Sequence, residues 1–264
     1  MLGVILGDAV GSAYQRTKIQ DFDLITPGSH WTENTIFTLA TADYLLYGGE
    51  YEETYTRWYS WYPKINGGYN NSFSEWAKTN GVRPYYSCRN DGAVRAAPIA
   101  YAFDNLKEVM EEAERSASVS HNHPDGVKGA QATAAAIFLA NAGAPKETIS
   151  DLLASVFGYD FQMSYETLQQ SYQYSTLAAD TVEAAILAFL HSTSFEDAIS
   201  KAVGLGGDAK TLAAISGGIA EAFYPKIPKS LQQWIRGLLD DGQQDLINEF
   251  HAEFITEMVP AKAA

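Results

Sequence analysis

The chain has 264 residues, 46% of them hydrophobic and 19% charged, with a formal net charge of -14. That apolar share supplies a full core and excludes a disordered chain, while the acidic balance speaks against nucleic acid, whose phosphates it would repel. A single cysteine, Cys88, excludes an internal disulfide framework and a multi-cysteine metal cluster, and fits a reducing, cytoplasmic setting.

Residues 1–12 are apolar and contain glycine. They lack a basic start and are interrupted by Asp8, so they do not read as a signal peptide. No apolar run reaches the roughly 18 to 20 residues of a membrane span. The run Gly7-Asp8-Ala9-Val10-Gly11 puts a carboxylate between glycines on a first helix, as a cap or a buried hydrogen-bonding group. The glycines permit close approach of another helix or of a ligand. Thr32 is a natural N-cap for a helix over 36–46, and Glu33 in its first turn suits the positive end of the dipole. Capping alone accounts for Thr32-Glu33-Asn34-Thr35. The aromatic stretch Tyr51–Trp61 fits a strand or a helix. Residues 63–84, rich in Gly, Asn, Ser and Tyr, carry a loop signature.

Arg89-Asn90-Asp91-Gly92-Ala93-Val94-Arg95 is a polar turn feeding an apolar segment, able to present backbone N–H groups to phosphate or ribose oxygens. Arg95 reads as a structural ion-pair partner. Residues 106–117 are amphipathic, with Leu106, Val109, Met110 and Ala113 on one face. The pair His121 and His123 lies in a turn without a neighbouring cysteine and does not read as a zinc site. The alanine-rich stretch 130–140, and the stretches 183–190 and 212–223, are apolar on all faces and read as buried helices. Gly206 and Gly207 allow a tight approach ahead of Asp208, an N-cap position. The Gly-Lys-Ser/Thr order of a phosphate loop is absent, since Ala209 precedes Lys210. Beyond Pro225, Trp234, Ile235, Leu238 and Leu239 mark a terminal helix. The elements predict an all-α chain, one domain over 1–264, of undetermined oligomeric state.

Taken in order, GDAVGS, the Thr-x-x-Thr opening at Thr32, NDGAVRAAPIAYAF, SHNHPDGVKGAQATAAAIFLA and GLGGDAKTLAAISGGIAEAFY resemble the ADP-ribosylglycohydrolase family. The resemblance implies an orthogonal all-α helical bundle, a cleft with two magnesium ions, and hydrolysis of the bond joining ADP-ribose to a side chain or small acceptor. It implies metal-ligand positions at Thr32, Glu33, Asn34, Asp208, Lys210 and Thr211. It implies ligand contacts from Asn90, Asp91, Gly92, Ala93, His121, Gly206 and Gly207. Glu33, Asp208 and Lys210 become the candidate catalytic residues.

The family's Thr-Asp-Asp-Thr is Thr32-Glu33-Asn34-Thr35 here, and its Gly-Gly-Asp-x-Asp-Thr ends in Lys210-Thr211. Asp91 stands where glycine is usual. A protonated lysine has no lone pair for a metal. It repels a divalent ion by about 4 to 8 kcal/mol at an effective dielectric near 20. Three arrangements follow: Lys210 replaces the metal's charge, one magnesium stays on Glu33, Asp208 and the threonine hydroxyls, or the cleft binds ADP-ribose without turnover.

Overall fold

A computed structural model describes residues 1–255. Fifteen helices follow one another there: α1 Leu2–Ser12, α2 Glu33–Tyr47, α3 Tyr51–Trp61, α4 Asn71–Lys78, α5 Asp91–Val94, α6 Ile99–Ala102, α7 Leu106–Ser118 and α8 Pro124–Asn141. They continue with α9 Lys146–Phe157, α10 Tyr165–Ser171, α11 Ala178–Leu190, α12 Phe195–Gly204, α13 Ala209–Phe223, α14 Lys229–Arg236 and α15 Asp241–Phe254. The described residues contain no strand, only an isolated antiparallel bridge between Arg89 and Leu177.

The pair that positions everything else is α1 against α13. Gly3, Gly7 and Gly11 recur every fourth residue, so they share one face of α1. A Cβ on any of them would overlap the carbonyl of Gly217, Ala213 or Ala209 in turn. The glycines flanking Asp8 therefore admit a helix backbone. Around this pair, α8, α11 and α13 bury alanine, leucine and isoleucine on nearly every face, which is why their sequences lack a polar stripe.

Two segments take a form that the sequence left open or hid. Tyr51–Trp61 is helical, because Tyr51, Tyr55 and Trp58 then fall on one buried face. The expected loop 63–84 contains α4. Its N-cap Asn70 accepts from the Phe73 amide at 2.8 Å, and Phe73, Trp76 and Ala77 are buried behind it. The terminal helix is two helices, α14 and α15, the second opened by a capping box at Asp240 and Gln243.

Candidate active site

The N-terminus of α2 is held by a residue of another helix. Asp8, buried in α1, accepts from Thr32 N at 2.7 Å, Thr32 Oγ1 at 2.6 Å, Thr35 Oγ1 at 2.7 Å and Thr35 N at 3.2 Å. A carboxylate at a helix N-terminus satisfies orphan amides and the dipole together. Burial pushes the Asp8 carboxyl up, against the pull of Lys210 and these threonine donors. Thr32 also accepts from Asn34 N, so Thr32 is the local cap and Asp8 the tertiary one.

The first turn of α2 meets the first turn of α13. Lys210 Nζ donates to Glu33 Oε1, and both side chains are largely buried. Burial works to lower the Lys210 amine, but the Glu33, Asp208 and Asp8 carboxylates prevail and hold it above its ordinary value. Asp208 Oδ2 accepts from Asn90 Nδ2 and from Thr211 Oγ1, each at 3.0 Å. The Asp208 side chain thus faces this network, although its backbone sits at the N-cap of α13. Gln15, with its amide oriented to satisfy both neighbours, donates to Asp208 at 3.2 Å and accepts from Lys210 N at 3.0 Å. Asn34 Nδ2 donates to Thr211 Oγ1 at 3.1 Å. Among the described residues two acceptors of this network have no partner: Glu33 Oε2 and Asn34 Oδ1 are buried without a hydrogen bond.

Asp91 faces the same space from α5. It accepts from Asn70 Nδ2 at 2.8 Å, and its other oxygen lies 3.1 Å from His121 Nε2 and 3.6 Å from Arg89 Nε. An ionised carboxylate only accepts, so His121 carries its proton on Nε2 and takes one from the Ser120 hydroxyl at Nδ1, 2.8 Å away. Burial works to raise Asp91, yet His121, Arg89 and a backbone amide prevail and hold its carboxyl below the usual range. Burial pushes the His121 ring down, against the pull of Asp91. Behind Ser120 lies Arg95, fully buried. Its guanidinium covers the Tyr55 ring at 4.3 Å and donates to the carbonyls of Ser116 and Ala117 and to Ser120 Oγ. Arg95 has no ion pair among the described residues; its partners are the free carbonyls ending α7.

These groups surround a cavity of about 510 Å³. Of the residues singled out from sequence, Thr32, Glu33, Asn90, Asp91, Asp208 and Lys210 line it. Asn34 and Thr211 sit one layer behind, bonded to each other. Gly92, Ala93 and His121 also lie behind the wall: a Cβ on Gly92 would crowd the His121 ring. Gly206, at φ 71°, leaves room for Lys18, and Gly207 for the Tyr172 ring. The cavity also takes in Gln15, Arg16, His30, Asn70 and Tyr174, none of which the motifs mark. Only the glycine- and asparagine-rich composition before Asn70 signalled one of them.

Magnesium asks for a near-octahedral shell of oxygens. Here the Lys210 ammonium has only donors, Asn34 turns its nitrogen inward, and the oxygens without partners are Glu33 Oε2 and Asn34 Oδ1. Among the described residues no group of three or more His, Cys, Asp or Glu could hold a metal ion. A two-magnesium centre does not fit this residue set.

The fold and site define an all-α protein with a polar, mixed-charge cavity where the ends of α1, α2, α5 and α13 converge. The chain belongs to the ADP-ribosylglycohydrolase family, whose model matches residues 1–262. It is 29% identical to the ADP-ribosylarginine hydrolase Tri1 of Pseudomonas putida, over 85% of this chain and 69% of that protein. It is 24% identical to the mouse ADP-ribosylhydrolase ARH3, over 90% and 86% of the two chains. A solved structure described as an ADP-ribosylglycohydrolase-related protein complex matches with a TM-score of 0.73 and 25% identity, covering 97% of this chain and 96% of that one. No helix among the described residues is long and apolar enough to cross a membrane.

Proposed function

We propose that this protein hydrolyses the glycosidic bond between ADP-ribose and its acceptor without a metal pair, using Lys210 as the fixed cation of the site. The observation that supports it is the Lys210–Glu33 ion pair in the cavity wall, beside Asp208 and Asn90. An ammonium there supplies positive charge toward the ribose hydroxyls. The unpartnered Glu33 Oε2 is an acceptor for the attacking water.

In the proposed step, water adds to the anomeric carbon and Glu33 takes its proton as general base. The glycosidic bond breaks, and its electron pair leaves with the acceptor atom, which then takes up a proton. Asn90 and Asp208 orient the ribose, and Arg16 and Arg89 at the wall face the diphosphate. Relatives named as ADP-ribosylarginine hydrolase and ADP-ribosylhydrolase support the substrate class. A single domain acting in the cytoplasm suits the lone, free Cys88.

The test is turnover of an ADP-ribosylated peptide with and without chelator. Activity that persists in chelator and disappears in Lys210→Ala supports the reading. Chelator-sensitive activity overturns it in favour of a retained metal. ADP-ribose binding by calorimetry without any turnover leaves a binding module.

A further inference from the structure

A second groove, of about 490 Å³, lies on the far side of the segment joining α10 to α11. The two cavities share a wall. Tyr174 lines both, and from the principal side the Arg16 guanidinium lies over its ring, 4.3 Å from the centroid. Tyr172 lines the groove and covers Gly207, next to Asp208, so closely that a Cβ on Gly207 would overlap its ring.

The two spaces differ in charge. The principal cavity sets Arg16, Arg89 and Lys210 among its carboxylates. The groove is lined by Asp160, Asp180 and Glu183 and, among the described residues, by no lysine, arginine or histidine. Each carboxylate has one oxygen engaged by its own backbone or neighbourhood: Ser175 Oγ donates to Asp180 at 2.6 Å, Asp160 N to Glu183 at 2.6 Å, and Gln162 N to Asp160 at 3.0 Å. None of the three has an ion-pair partner among the described residues. Favourable interaction with the α11 dipole explains Asp180, in its first turn, but not the other two. Tyr172 is 8% exposed, and its buried hydroxyl has no hydrogen-bond partner among the described residues. Leu187 adds an apolar floor.

Carboxylates beside tyrosine rings over an apolar floor suit one chemistry, a cationic side chain with a long aliphatic stem. The bond to be broken lies in the principal cavity, so the groove cannot hold the modified atom itself. An extended polypeptide advances about 3.3 to 3.6 Å per residue, so a residue adjacent to the modified one is the candidate for the groove. We infer that this groove binds a lysine or arginine side chain of the acceptor polypeptide adjacent to the modified residue. The inference rests on the reading of the principal cavity as the ADP-ribose site. It makes the substrate a modified protein with basic sequence context.

The experiment measures binding of an unmodified, end-blocked pentapeptide with one arginine, and of its citrulline counterpart, to the protein with ADP-ribose present. Citrulline keeps the shape and removes the charge. The arginine peptide is expected to bind about tenfold tighter. That preference should fall toward unity in the Asp180→Asn/Glu183→Gln variant, with ADP-ribose affinity unchanged. Both replacements keep an acceptor for Ser175 and Asp160 N, and thermal melting checks folding. The exposed Asp160→Asn variant serves if the pair is unstable. Equal affinity of the two peptides for the unsubstituted protein overturns the inference, as does a preference that survives all the substitutions. ADP-ribose titrated alone reads the principal cavity separately. If it fails to bind while the arginine preference holds, the hydrolase reading falls and the groove stands as a basic-peptide site.

Discussion

Lys210 and Glu33, 177 positions apart in the chain, form an ion pair where the first turn of α13 meets the first turn of α2. Removing Lys210 leaves the Glu33 carboxylate buried without its ion-pair partner. Lys210→Met is expected to destabilise the protein by about 3 kcal/mol, and Lys210→Met/Glu33→Gln by clearly less than the sum of the singles. Urea unfolding of the four proteins in a double-mutant cycle checks this. Strict additivity would show that the pair contributes no coupling.

Restoring oxygens should restore metal binding. Glu33→Asp, Asn34→Asp and Lys210→Asp together place three carboxylates where one carboxylate, one amide and one ammonium now stand. The triple variant is expected to melt below the parent protein and to recover on adding magnesium, through preferential binding to the folded state. The parent's melting temperature should not respond. A magnesium-dependent rise in the parent would contradict the assignment of Lys210.

Asp8 holds the start of α2 through both threonines of that turn. Asp8→Asn keeps one acceptor oxygen and turns an amide donor toward the other donors. We expect a loss of about 3 kcal/mol, read as a lower urea midpoint at unchanged slope.

Gly7→Ala separates propensity from close approach. In an exposed helix this change stabilises by about 1 kcal/mol. Here the new methyl overlaps the Ala213 carbonyl, so α1 and α13 must separate, and we expect a net loss of about 3 kcal/mol. The sign of the measured change decides between the two.

Acid sensitivity follows from His121, His251 and Asp91. Burial lowers both histidines, His251 to about 4, so the unfolded chain takes up protons first as pH falls below about 6.5. Their contribution is complete above that value and is lost as pH drops toward the folded values. Asp91 is held below its ordinary value and adds a second loss of the same sign, beginning near pH 4. His251→Gln should flatten the limb between about pH 6.5 and 4 and leave the lower one in place. His121→Gln should flatten it and also shrink the lower one, because His121 helps to hold Asp91 down. Stability measured by urea unfolding across that range tests it. An unchanged limb in both variants would place the first loss elsewhere.

The helices that were legible in sequence were those whose apolar pattern is long. The reading of 106–117 became Leu106–Ser118, and 130–140 became the inner part of Pro124–Asn141. Helix α4 was not legible, because three apolar residues among asparagines, serines and glycines carry too little periodicity against a turn-like composition. Tyr51–Trp61 stayed ambiguous because aromatic residues suit both strands and helices. Arg95 was expected in an ion pair, but its Nη2 donates instead to the carbonyls ending α7 and to Ser120 Oγ, and its guanidinium lies over the Tyr55 ring.

Motif order along the chain singled out Glu33, Asp208 and Lys210, and the fold brings these three to one cavity. It could not say which members of a run face the cavity. Asn90 and Asp91 do, while Gly92, Ala93 and His121 lie behind, since a short helix turns successive side chains about 100° apart and only packing selects the open side. Nor could it join Lys210 to Glu33, or Asp8 to Thr32. Those contacts depend on the glycine face of α1 letting α13 approach, a relation between helices that no local run of residues contains.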